Sequence, residues 1–166
     1  MNKEPKRNFF IMASIVGVLS GMLPGCGIGK QMPEGKLLSL EYSRTASRAG
    51  KQYEAVLTRN SNGDVVLRAM KEEYGPVFEK KLTEEEVGGF VKIIEEEGMY
   101  QYKERYMPVF KVLDGTSWHF EARFEQGKVY TGGYHAWPKG DGLQRIREYA
   151  GSLLHDAREI EQGEEP

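Results

Sequence analysis

Cysteine is nearly missing from this sequence: Cys26 is the single one in 166 residues. An intrachain disulfide framework, thiolate metal sites and dithiol redox motifs are thereby excluded. Histidine is almost as scarce, with only His119, His135 and His155. These form no HExxH or HxH, and none stands at metal-site spacing from a carboxylate. No metal and no cofactor is therefore expected. No serine lies in GxSxG or SxxK, and no glycine-rich phosphate loop is present, so the common hydrolase and nucleotide-binding motifs are missing. An excess of one charge is lacking too, since 23 Lys and Arg stand against 25 Asp and Glu. That balance gives no electrostatic footprint for nucleic acid. No apolar run reaches the roughly 20 residues that a membrane-spanning helix needs.

The N-terminus carries the strongest positive signal. Lys3, Lys6 and Arg7 precede an uncharged apolar or small stretch from Phe9 to Met22. A cationic region followed by a short apolar region is the pattern of a secretory signal peptide. Next comes Leu23-Pro24-Gly25-Cys26. This segment resembles the lipobox of bacterial lipoproteins, with an aliphatic residue at −3 and the cysteine at +1. Pro24 departs from the family pattern, which prefers a small residue there.

The resemblance implies that residues 1–25 are removed, that the Cys26 thiol receives diacylglycerol and that the new amine takes a fatty acid such as palmitate. Two or more acyl chains give stable anchoring where one does not. The expected location is the cell envelope and, if the cell is Gram-negative, the outer membrane facing the periplasm, since Gly27 is not the aspartate linked to inner-membrane retention. The bilayer, reached through acylated Cys26, is the first expected partner, and another envelope protein is the second. The rest of the chain resembles small α+β envelope lipoproteins in general character only.

Removal of the signal leaves 141 of the 166 residues, one domain's worth. It takes away three basic residues and one acidic residue, so the formal net charge moves from −2 to −4. Residues 26–36 hold three glycines and a proline and read as a flexible tether. Residues 37–158 read as a single α+β domain, and residues 159–166 as a frayed acidic tail.

Within the domain, Leu38, Leu40 and Tyr42 alternate with polar residues and predict a half-buried strand. Strands follow over Lys51–Arg59, Val65–Met70 and Val77–Leu82, with a hairpin turn at Asn60–Asp64. Thr83 and Glu86 form a capping box for a helix whose stripe is Val87, Phe90, Val91 and Ile94, ended by Gly98. Gly88 and Gly89 fit a close approach of this helix to the sheet.

Val109–Leu113 predicts another strand. The clearest strand is Ser117–Glu125, with Trp118, Phe120, Ala122 and Phe124 on one face. A two-residue turn at Gln126-Gly127 then pairs His119 with Tyr134 and Arg123 with Tyr130. Asp141 with Gln144 caps a last helix carrying Leu143, Ile146, Tyr149 or Ala150, Leu153 and Leu154. The fold class expected is α+β: antiparallel meander sheets with two amphipathic helices on one face. Residues 37–98 and 109–158 each read as strands followed by a helix, which raises an internal duplication.

One segment stands out as a candidate binding site: Gly132, Gly133, Tyr134, His135 and Trp137, closed by Pro138. Paired glycines in a strand permit close approach of a ligand or of another backbone. Tyr134 and Trp137 offer large rigid surfaces with a polar tip, and His135 adds an imidazole. The competing account is packing, with the glycines making room for Trp118 or the last helix. His155 beside Asp156 is expected at the surface near a helix end. The function expected is a non-catalytic binding or assembly-support domain held at the envelope. A small-molecule or glycan binder using residues 132–138 is the alternative, and a hydrolase with a scattered site comes last.

Overall fold

Alternation of apolar and polar residues builds most of this molecule. The computed structural model describes residues 30–160; Cys26, the signal segment and residues 161–166 lie outside them. The strands are β1 (Glu34–Ala46), β2 (Gly50–Arg59), β3 (Val65–Met70), β4 (Val77–Leu82), β5 (Arg105–Tyr106), β6 (Thr116–Tyr134) and β7 (Arg158–Ile160). Two helices, α1 (Glu84–Glu96) and α2 (Gly142–Leu153), and a 3₁₀ turn at Met99–Gln101 complete the set. The strands form one sheet in the order β5-β6-β1-β2-β3-β4-β7. Every pairing is antiparallel except β5 with β6, which is parallel. The fold is α+β.

Alternate residues of the central strands (Tyr42, Tyr53, Ala55, Leu57, Leu67, Trp118, Phe120) share one buried cluster with Val87, Phe90 and Ile94 of α1 and Leu143, Ile146 and Ala150 of α2. Burying a large apolar side chain of this kind contributes about 1.5–3 kcal/mol. The β2 and β6 alternations lie as the sequence predicts. In β1 one of the three residues expected on the buried face is wrong. Leu40 and Tyr42 are buried, but Leu37 is the third buried residue and Leu38 is exposed. The register against β6 shifts around Leu37, and such a bulge reverses which neighbour faces inward.

The helices carry two further corrections. Thr83 Oγ1 accepts from the Glu86 amide while the Glu86 carboxylate accepts from the Thr83 amide, so the capping box is formed. Gly89, however, does not serve the sheet. A Cβ there would overlap the hydroxyl of Tyr149 on α2, and a Cβ at Gly88 would meet nothing. Tyr149 donates to the Glu86 carbonyl at 2.9 Å and its ring stands edge-on to Phe90. The absent side chain thus lets the two helices approach each other. At the start of α2, Asp141 makes no side-chain cap. Gln144 donates to Glu148 instead, and Arg145 ties α2 to Glu96 and Glu97 at the end of α1.

The margins differ from expectation as well. β1 begins at Glu34, inside the segment read as tether, and β7 brings residues 158–160 onto β4 with Ile160 buried. Three residues are too few for a periodic signal, so the sequence could not show this strand. Residues 109–113 form no strand. The two halves are also unalike in topology. Residues 34–98 supply four strands, each paired with the next, whereas the second half supplies the long β6 and two short strands at opposite margins.

Candidate functional site

β6 doubles back on itself around Gly127, whose φ of +100° lies in the region that favours glycine. Its first arm pairs with β1, and Gly132 and Gly133 in its second arm pair with β5. The Gly132 amide donates to the Glu104 carbonyl at 3.1 Å, and the buried Thr131 hydroxyl donates to the Lys103 carbonyl at 2.7 Å. These bonds fix β5 against the hairpin.

The arms meet two residues away from the pairing that a two-residue loop would give. The His135 amide donates to the Thr116 carbonyl at 2.8 Å, and Gly132 lies against the Trp118 carbonyl and His119. Tyr130, rather than Tyr134, meets His119, with ring centroids 5.3 Å apart. Arg123 turns to Glu121 instead of Tyr130. A slip of two preserves the face of every side chain, so Val129 and Thr131 are buried with Trp118 as their alternation predicts.

The paired glycines have separate causes. A Cβ on Gly133 would lie 2.6 Å from Trp118 Nε1 and 2.6 Å from the Ala136 carbonyl oxygen. Those two atoms are themselves hydrogen-bonded at 2.7 Å. Gly133 therefore makes room for the Trp118 indole, which is the packing account. Gly132 looks the other way. The nearest atom to a Cβ there is the Trp118 carbonyl oxygen at 3.2 Å. Its bare backbone borders an open cleft of about 440 Å³. Ser117, His119, Tyr130 and Tyr134 line the cleft on the hairpin side, and Glu104, Arg105 and Met107 form the opposite wall.

Three of the five expected site residues thus line one cleft: Gly132, Gly133 and Tyr134. Tyr134 also has a structural duty, since its hydroxyl accepts from the Gly115 amide at 2.9 Å and donates to the Val112 carbonyl at 3.1 Å. His135 and Trp137 stand outside the cleft. His135 is exposed with φ +46° and meets Trp137 edge-on at 5.8 Å. Trp137 is 43% exposed. His119 and Tyr130, which the sequence placed on the polar face of adjacent arms without marking them as a site, belong to the cleft instead. Their adjacency depended on the register.

Two carboxylates at or near the cleft are held in ion pairs. Glu121 is held below the ordinary carboxylate range: burial opposes its ionisation, but hydrogen bonds from Arg123 and Lys128 outweigh that. Lys128 also lies 5.2 Å above the Tyr130 ring. Glu104 pairs with Lys30 at 3.8 Å. Glu104 and Glu121 are therefore engaged by cations, and what the cleft presents is aromatic edges, hydroxyls, an imidazole, the Arg105 guanidinium and bare backbone. Such a surface suits the recognition of a flat or hydroxylated group. Among the described residues, no three His, Cys, Asp or Glu side chains converge on a metal position. No protein-family model, no curated protein and no solved structure matches this chain.

Proposed function

We propose that this chain is a lipid-anchored protein of the bacterial cell envelope, at the outer membrane if the cell is Gram-negative, whose α+β domain binds a partner without catalysing a reaction. One observation carries the anchor: the cationic region, short apolar stretch and Leu23-to-Cys26 segment stand in signal-peptide order. Binding rather than catalysis is supported by the cleft beside Gly132, whose one lining carboxylate, Glu104, is held in an ion pair with Lys30. The finer architecture belongs to the same reading: β1 to β4 form a meander, and both helices cover one face of the sheet. The other face then stays open, with Val56, Thr58, Val66, Arg68 and Glu79 around a shallow hollow of about 320 Å³.

The anchor is tested by expressing wild type and Cys26→Ser with a clickable fatty acid and fractionating the cells. Label and membrane retention are expected in wild type alone, and equal behaviour of the two defeats the reading. A second reading, a small-molecule or glycan site, is favoured by the aromatic lining of the cleft. Gly132→Leu fills that cleft from its floor while Gly133, the packing residue, is left intact. A glycan or small molecule that binds wild type and the Gly132→Leu variant equally well does not use the cleft.

A further inference from the structure

We infer that the segment from Met107 to Leu113 is a bilayer-contacting surface, which seats the domain against the membrane that holds its anchor. The inference rests on the lipid-anchor reading and adds a second contact to it. Four large apolar side chains crowd this segment, and they are exposed: Val109 93%, Phe110 82%, Leu113 80% and Met107 53%. Its far end is not loose. The Tyr134 hydroxyl is hydrogen-bonded to the Gly115 amide and the Val112 carbonyl, so the backbone is pinned with these side chains pointing outward.

The surrounding charges fit a membrane surface. Lys103, Arg105 and Lys111 are exposed and have no carboxylate partner among the described residues. The two adjacent acids are neutralised, Glu104 by Lys30 and Asp114 by Arg48 at 2.7 Å. Apolar side chains flanked by free cations match the boundary between acyl chains and anionic headgroups.

The position of the anchor decides between the bilayer and other occupants. Lys30 donates to the Tyr102 carbonyl at 3.2 Å and pairs with Glu104, three residues before Met107. Cys26 precedes Lys30 by four residues, which span at most about 14 Å even when fully extended. An acylated Cys26 therefore holds the β5 margin of the sheet close to the lipid. Tyr74, also 90% exposed, lies in the turn between β3 and β4, several strands away.

The full chain, produced in a bacterial host and reconstituted into vesicles of zwitterionic and anionic phospholipid, tests this. Phe110→Cys and, as a control, Tyr74→Cys are labelled with a polarity-sensitive maleimide; Val109→Cys serves as a second reporter. Both loop labels should shift to the blue and be quenched several-fold by spin-labelled lipid, with little change at position 74. Loop labels that stay wet while the chain floats with the vesicles overturn the bilayer contact alone. A shielded label that lipid quenchers do not reach shows that a protein or a second copy covers the segment, and also overturns it. Wild type that takes up maleimide and fails to float shows an unmodified Cys26; the anchor reading then fails, and this inference with it.

Discussion

Two apolar stretches lie a few residues apart in this chain and meet opposite fates. Val109–Leu113 is nearly continuous in apolar residues and is exposed. Ser117–Glu125 is half polar, yet Trp118, Phe120, Ala122 and Phe124 are all buried. Hydrophobicity alone ranks the first stretch as the better strand. What separates them is partnership. The alternating stretch offers one apolar face to the core and finds β1 along its whole length. The other follows Pro108, which has no amide to give a ladder, and the place beside the second arm of β6 is taken by β5. A run that is apolar on both faces needs cover on both faces, and nothing in the described residues supplies it.

The most severe way to break this contrast is to remove the indole that begins the buried row. Trp118→Ala should cost about 3–5 kcal/mol, the usual range for a large buried aromatic. His119→Ala, one residue away on the opposite face, should cost about 1 kcal/mol or less. Urea unfolding of both variants checks the order. A reversed order would mean that the two faces of β6 have been exchanged.

The buried face is not purely apolar, and that sharpens the contrast by pH. Trp118, Arg44 and Tyr53 form one row across β6, β1 and β2. The Tyr53 hydroxyl and Arg44 Nε are buried without a hydrogen-bond partner. Burial, with a smaller push from Tyr42 and against the pull of Arg147, raises Tyr53 from the ordinary 10.0 to about 12. The folded state thus favours the neutral phenol. Its contribution is complete below pH 10 and is lost as pH rises from 10 through 12, a change of roughly 2–3 kcal/mol. Tyr53→Phe should flatten that alkaline decline. Near pH 7 it should leave stability equal or raise it by about 1 kcal/mol, since an unpaired buried hydroxyl is removed. Chemical unfolding of wild type and variant at several pH values gives the comparison; parallel curves would show that Tyr53 is solvated.

A smaller effect is expected at the two glycines, which separate the packed side of the hairpin from its open side. Gly133→Ala pushes a methyl group into the Trp118 indole and should cost about 2 kcal/mol, within the usual range for overpacking. Gly132→Ala meets only a carbonyl oxygen at 3.2 Å and should cost about 1 kcal/mol or less. Melting curves that show the two to be equal would remove the distinction between a packing glycine and a cleft glycine.

Legibility in the sequence follows the same division. β3 and β4 are read to the residue, and the capping box of α1 is formed, because their signals are local: alternation, an Asn-Gly turn, a cap with its reciprocal glutamate. The cleft was half legible. The glycines and Tyr134 announced themselves by composition. His119 and Tyr130 did not, because their meeting depends on a two-residue offset set by the turn at Gly127 and by the tie of Gly132 to Glu104. Periodicity is blind to a slip of two, which leaves every face unchanged. The absence of a partner for Val109–Leu113 is non-local in the same way, since it depends on which strand occupies the neighbouring place. A helix on a sheet is the commoner neighbour, so the sequence points Gly89 at the sheet; its contact is Tyr149, which lies sixty residues further along.

The smallest expected effect is also the most direct check on the exposed stretch. Replacing Val109, Phe110 and Leu113 together by serine removes most of its apolar surface. If these side chains belonged to a core, each loss would cost between about 1 and 5 kcal/mol. Their exposures of 93%, 82% and 80% place them in water instead. The triple variant should therefore unfold within about 0.5 kcal/mol of wild type, as surface substitutions do. The backbone bonds from Tyr134 to Gly115 and Val112 use no side chain of these three residues and should survive the change. Urea midpoints of wild type and variant, measured at the same pH, settle the matter. A loss of several kcal/mol would mean that the stretch is folded against the body after all, and the contrast with β6 would then be one of degree.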